Sequence, residues 1–170
     1  SYGDDYNLYG IGYSQGYVAN TFDIQDNTVI SQGKYAVYVK YASDSTVKGN
    51  YLFAHDLYGD DAVSIPSGNT VESNYPAQLN LSASADDIKV GEDAVINIAA
   101  NKFFTGDVTV IVNGEEKTVT LTNGIGSLTV SDLPAANYTV VVSYAGDVKY
   151  IADETNATFE VSKNTPSEMT

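Results

Sequence analysis

The sequence predicts an all-β protein in two parts, the C-terminal coils of a right-handed parallel β-helix followed by an antiparallel β-sandwich. Three observations carry this expectation. Val, Thr, Tyr and Ile alternate with polar residues through most of the chain, and Gly, Asn and Asp interrupt them at short intervals, the pattern of short strands on a half-buried pleated surface. In the first 75 residues one apolar set recurs at spacings of 26 and 26, and a second at 23 and 24. From Pro76 that spacing stops, and longer alternating runs separated by hairpin signals take over. No amphipathic helix stands out: residues 152–157 come nearest, but they are few and lie between stronger strand patterns, so a turn is expected there.

The first ladder aligns Ile11-Gly12-Tyr13, Val37-Tyr38-Val39 and Val63-Ser64-Ile65. Strand geometry sends the outer two side chains of each triplet to one face and the middle one to the other. The apolar pair then lines the coil interior, Tyr13 points inward and Tyr38 outward. The second ladder aligns Ile24, Val47 and Val71, each followed three residues later by an asparagine: Asn27, Asn50 and Asn74. An asparagine at one point of every turn suits left-handed or bridging backbone, and stacked amides can hydrogen-bond from coil to coil. The register begins in mid-pattern with about three coils, and a solenoid needs roughly three repeats and a cap. Further coils are therefore expected upstream.

The change of texture places a domain boundary at residues 74–77, with coils over 1–75 and a sandwich over 76–163. Strands are expected over residues 78–83, 94–99, 108–112, 117–121, 127–130, 138–144 and 158–161, a number that fits a sandwich. Asn113-Gly114 and Asn123-Gly124 tolerate positive φ and are strong hairpin signals. Tyr138 opens a strand after the turn Leu133-Pro134-Ala135-Ala136-Asn137. That is the tyrosine-corner pattern, in which the hydroxyl ties back to the preceding backbone.

These residues, from Gly106-Asp107-Val108-Thr109-Val110 through Val112-Asn113-Gly114, Leu128-Thr129-Val130, Asn137-Tyr138-Thr139-Val140 and Tyr144-Ala145-Gly146-Asp147 with Tyr150, resemble the bacterial Ig-like repeats. More narrowly, the chain is similar to adhesin-like surface proteins of methanogenic archaea, in which Ig-like repeats commonly follow right-handed β-helix regions. The resemblance implies an Ig-like sandwich, a cell-surface location outside the cell, and adhesion as the task. Pro76-Ala77-Gln78-Leu79 and Pro166-Ser167-Glu168-Met169 stand 90 residues apart, so residues 164–170 are expected to be a linker into a following module.

Composition narrows the chemistry. Eight lysines and no arginine stand against 22 acidic residues, a net charge of -14, which repels a phosphate backbone and argues against nucleic acid as a partner. The same charge opposes self-association, so a monomer is expected. With zero Cys there is no disulfide, thiolate nucleophile or zinc-thiolate site, and no apolar run approaches the roughly 18 residues of a membrane span. The only histidine, His55, sits beside Asp56 with no nucleophile-elbow context, so it reads as an exposed loop residue and no catalytic set is expected. The alternative is a polysaccharide lyase or hydrolase built on a β-helix with an accessory sandwich; Asp56, Asp60 and Asp61 would be its carboxylates by residue type alone.

Tyr2-Gly3-Asp4-Asp5 and Tyr58-Gly59-Asp60-Asp61 repeat one tetrapeptide. Clustered carboxylates make Asp60 and Asp61 candidate ligands for Ca²⁺, against the simpler reading of a solvated acidic turn. No other cofactor is implied. Among 14 tyrosines, Tyr35, Tyr38, Tyr51 and Tyr58 fall in or beside coil loops. Tyrosine offers a large rigid surface with a polar tip, which makes Tyr38 and Tyr58 candidates for binding a glycan or protein on a host or neighbouring cell. Asn80, Asn137 and Asn156 open Asn-x-Ser/Thr sequons, with Asn137 expected in the turn before Tyr138.

Overall fold

The computed structural model describes residues 10–13 and 20–163. The chain divides into two compact units, one of Ser1–Ala77 with Asp147–Ile151, the other of Gln78–Gly146 with the residues from Ala152 onward. The tetrapeptide at residues 2–5 and the expected linker at 164–170 lie outside the described residues.

The first unit is wound from strands of two or three residues: β1 (Ile11–Tyr13), β2 (Asp23–Gln25), β3 (Thr28–Ile30), β4 (Val37–Val39), β5 (Thr46–Lys48), β6 (Tyr51–Phe53), β7 (Val63–Ser64) and β8 (Thr70–Glu72). Every pair is parallel, in three sheets ordered β1-β4-β7, β2-β5-β8 and β3-β6. The first two circuits thus lay one strand on each sheet, as parallel β-helix coils do, and the third adds β7, β8 and a single bridge from Tyr75 to Tyr51. Ile11 aligns with Val37 and Val37 with Val63; Ile24 aligns with Val47 and Val47 with Val71. These are the two ladders of the repeat. The third, Val29 on Leu52, begins one residue after the corner asparagine and was missed because its strand is nearly contiguous with the second. Its 23-residue spacing was the available signal.

Strands β2 to β6 bury one or two side chains each, so the core is a column of Ile24, Val29, Val37, Val39, Val47 and Leu52, joined by Ala36, Ala42 and Ala62. Fully burying each aliphatic group contributes roughly 1.5–3 kcal/mol. Tyr13 does turn toward this core, its ring 5.2 Å from Phe22. Tyr150, from the short second segment of the unit, meets Tyr75 edge-on at 5.7 Å, and Ala77 bridges to it in parallel.

The second unit is an Ig-like sandwich of β9 (Ser82–Ala85), β10 (Ile88–Lys89), β11 (Ala94–Ala99), β12 (Gly106–Val112), β13 (Glu115–Leu121), β14 (Ile125–Val130), β15 (Ala136–Tyr144) and β16 (Asp153–Ser162). One sheet runs β10-β16-β15-β12-β13 and the other β14-β11-β9. All pairings are antiparallel except β10 with β16. Alternation supplies the core: Ala94, Ile96 and Ile98 from β11 are buried, as are Val108, Val110 and Val112 from β12, Tyr138, Val140 and Val142 from β15, and Phe159 and Val161 from β16. The Tyr138 hydroxyl donates to Pro134 O at 2.6 Å, which closes the tyrosine corner.

Three details differ from expectation. The strand expected over 78–83 starts only at Ser82, because Asn80 is left-handed at φ 55 and interrupts extended backbone. Residues 152–157 are not a turn: β16 starts at Asp153 and pairs with β15 continuously from Tyr144↔Asp153 to Ala136↔Val161. The long partner strand imposes extension on a polar stretch with little local signal. Asn137 accordingly lies inside β15, opposite Glu160, and not in the preceding turn. Both Asn-Gly dipeptides take positive φ at both residues, 53 and 74 at Asn113-Gly114, 50 and 75 at Asn123-Gly124. The first closes the β12–β13 hairpin, while the second carries the chain from one sheet to the other.

Candidate functional site

The corner after the second sheet is a column of side-chain amides. Asn50 Oδ1 accepts from Asn27 N at 2.9 Å and Asn27 Nδ2 at 3.1 Å. Asn74 Oδ1 accepts from Asn50 N at 3.1 Å and Asn50 Nδ2 at 2.8 Å. The two buried amides also turn inward to a neighbouring coil: Asn50 Nδ2 donates to Ile24 O at 2.8 Å and Asn74 Nδ2 to Val47 O at 2.9 Å. The left-handed residue is the one before each asparagine, Asp26 (φ 55), Gly49 (φ 69) and Ser73 (φ 55). The asparagines therefore serve as stacking groups, not as the bearers of positive φ. At Gly49 a Cβ would also stand 2.9 Å from Asp26 Oδ1.

Asp60 ends this column. Its Oδ1 accepts from Asn74 N at 3.0 Å and Asn74 Nδ2 at 2.7 Å, held there by the 3₁₀ turn Gly59–Ala62. Every rung offers two donors to the acceptor of the next, so the last position calls for a group that only accepts, and a carboxylate is that group. Asp60 was considered as a cation ligand on residue type; the structure commits its Oδ1 to Asn74 instead. Asp61, beside it, is exposed. Among the described residues no group of three or more His, Cys, Asp or Glu side chains could hold a metal ion.

A second polar corner, absent from the sequence reading, precedes the same sheet: Phe22 N donates to Ser45 Oγ at 2.9 Å, and Ser45 N to Asn69 Oδ1 at 2.8 Å. The 23- and 24-residue spacing of these positions was the missed signal.

The outer face of the first sheet presents Gly12, Tyr38 and Ser64 in register across three rungs. Tyr38 points outward between buried Val37 and Val39. Its ring stacks on Tyr35 with centroids 6.2 Å apart at 30°, and its register partners on the rungs to either side, Gly12 and Ser64, are small. Lys34 Nζ lies 5.3 Å from the Tyr35 ring centroid, and Lys40 Nζ 5.4 Å from that of Tyr41.

Tyr58 belongs to a different face. It bridges to Phe53 on the third sheet, where Phe53, Tyr58 and Ile30 are 39%, 37% and 72% exposed and Tyr51 packs on Tyr75 at 5.7 Å. The structure therefore does not bring Tyr38 and Tyr58 together. His55 Nδ1 and Asp56 Oδ2 are 2.7 Å apart, with side chains 68% and 82% exposed; their pairing is solvated. Asn80, Asn137 and Asn156 are all exposed.

No family model matches the chain, and no curated protein matches it. Among solved structures it is similar to an endo-β-1,4-mannanase from Thermotoga petrophila, at 10% identity and TM-score 0.38 over 50% of this chain and 20% of that one. It is also similar to an Ig-like domain of human Obscurin-like protein 1, at 16% identity and TM-score 0.31 over 55% of this chain and 95% of that one. The chain spans about a fifth of the mannanase. Likenesses this distant carry no functional argument, and the fold stands on the strand pairings themselves.

Proposed function

We propose that the chain is a non-catalytic, adhesin-like segment that works outside the cell at its surface. The coil unit presents a lateral face to a glycan or protein of a host or neighbouring cell, and the Ig-like unit is a stalk spacer. The observation that carries this reading is the outward Tyr38, stacked on Tyr35 and in register with Gly12 and Ser64 on the adjacent rungs. Two rigid rings with polar tips give contact area at low cost in side-chain entropy. Small neighbours keep a flat partner from being held away from them. The parallel coils supply the rigidity, since every rung is tied to the next by strand pairing and by the asparagine column.

The test is binding of the chain to a panel of immobilised glycans and to intact cells. Tyr38→Ala is expected to weaken binding at least about tenfold, as removal of a central aromatic anchor does. Tyr58→Ala, on another sheet, and Ile125→Ser, on the sandwich, are expected to retain full affinity. Equal affinity of Tyr38→Ala and the unmodified chain would discard the reading.

A further inference from the structure

We infer that the ligand of the Tyr35–Tyr38 face is an acidic saccharide, a sugar polymer that carries carboxylates. This rests on the face being the binding surface and names what it binds. The chain holds 22 acidic residues and eight lysines, yet residues 34–41 contain two lysines and three tyrosines and no acidic residue. No other run of eight residues in the sequence has two lysines without an acid. Positive charge and half-buried aromatic surface coincide at one rung of a protein that is otherwise strongly negative.

The fold arranges these residues in a row. Tyr38 and Lys40 are two apart about β4, so both project outward from the same sheet. Tyr35 stacks on Tyr38, Lys34 Nζ stands over the Tyr35 ring and Lys40 Nζ over the Tyr41 ring. The stacked ring pair is therefore bracketed along the chain by two ammonium groups, Lys34 before it and Lys40 after it. A pyranose has one face rich in C–H groups, which suits the face of an aromatic ring, and hydroxyls at its edge, which suit the tyrosine O–H. A carboxylate on that sugar finds an ammonium, a point charge with three donors, on either side. The acidic residues one 26-residue coil spacing beyond Lys34 and Tyr35 are Asp60 and Asp61, and Asp60 Oδ1 already accepts from Asn74.

The experiment compares affinity of the whole chain for a uronic-acid oligosaccharide and for its methyl ester, which is neutral and otherwise alike. The acid is expected to bind about tenfold more tightly than the ester. Lys34→Gln and Lys40→Gln are expected to lower acid binding more than ester binding and so erase that preference, while Tyr38→Ala weakens both. Equal binding of acid and ester, or lysine variants that keep the preference, overturns the acidic-saccharide assignment; the face itself still stands if Tyr38→Ala weakens both ligands. Absence of binding to either oligosaccharide also overturns the assignment, and the panel and cell measurements then judge the face separately.

Discussion

Replacing Asn50 by alanine removes the centre of the amide column. Asn50 Nδ2 donates to Ile24 O and Asn74 Oδ1, both at 2.8 Å, and Asn50 Oδ1 accepts from Asn27 N and Nδ2. Alanine supplies none of these. Asn27 is exposed, so its donors turn to water. The Ile24 carbonyl and Asn74 Oδ1 face a site where Asn50 and Asn74 are 0% and 1% exposed, and a buried group left without its partner costs about 1–3 kcal/mol. Asn74 Oδ1 keeps the Asn50 backbone N–H and the Ile24 carbonyl keeps its place in the parallel ladder with β5, which lowers the sum to about 1–3 kcal/mol. Asn50→Asp is expected to be worse than alanine, because its carboxylate faces Asn74 Oδ1 with two acceptors and no donor. Asp60→Ala, at the exposed end of the column, is expected to cost about 1 kcal/mol, less than either. Peptide-resolved hydrogen exchange over β2, β3, β5 and β6, with urea titration alongside, measures the effect and uses sandwich peptides as the internal reference. Coil protection in Asn50→Ala within about 0.5 kcal/mol of the unmodified chain would refute the column as a source of stability.

Two further outcomes test the sandwich. Tyr138→Phe keeps the buried ring stacked on Phe159 and deletes only the hydroxyl bond to Pro134 O; a loss of about 1 kcal/mol in urea unfolding is expected, and no loss would remove the corner's role. Gly114→Ala and Gly124→Ala share nearly the same positive φ, 74 and 75, but a Cβ meets nothing within 4 Å at Gly114 and stands 2.6 Å from Ala100 O and Asn101 O at Gly124. Gly114→Ala should show only the left-handed penalty of about 1–2 kcal/mol, and Gly124→Ala distinctly more. Equal thermal shifts would mean that the loop yields freely.

The candidate site was legible in part. Tyr38 was placed outward by alternation alone, because its neighbours Val37 and Val39 are apolar and strand geometry leaves the middle side chain no other face. Tyr58 was grouped with it on residue type, and the structure assigns it to the third sheet beside Phe53. Nothing local to Tyr58 encodes that choice, since a single antiparallel bridge and a 3₁₀ turn set its direction. The hydrogen-bond partner of Asp60 was not legible for a related reason. Asp-Asp after glycine looks like an acidic turn, and its real partner, Asn74, is 14 residues away and outside the coil repeat.

By itself the sequence determined the features that a linear repeat or a local conformation can encode. Parallel coils stacked in register put like residues at like positions, so the apolar ladders and the asparagine column are written as fixed spacings, while Asn-Gly turns and the Tyr138 corner act over four residues or fewer. Tertiary structure alone decided what depends on a distant partner. The extension of Asp153–Ser162 along β15, the grouping of Asp147–Ile151 with the coils and the capture of Asp60 by Asn74 all join segments whose local residues favour no single outcome. In each of them the pairing energy, and not the propensity of the segment, selects the backbone that is formed.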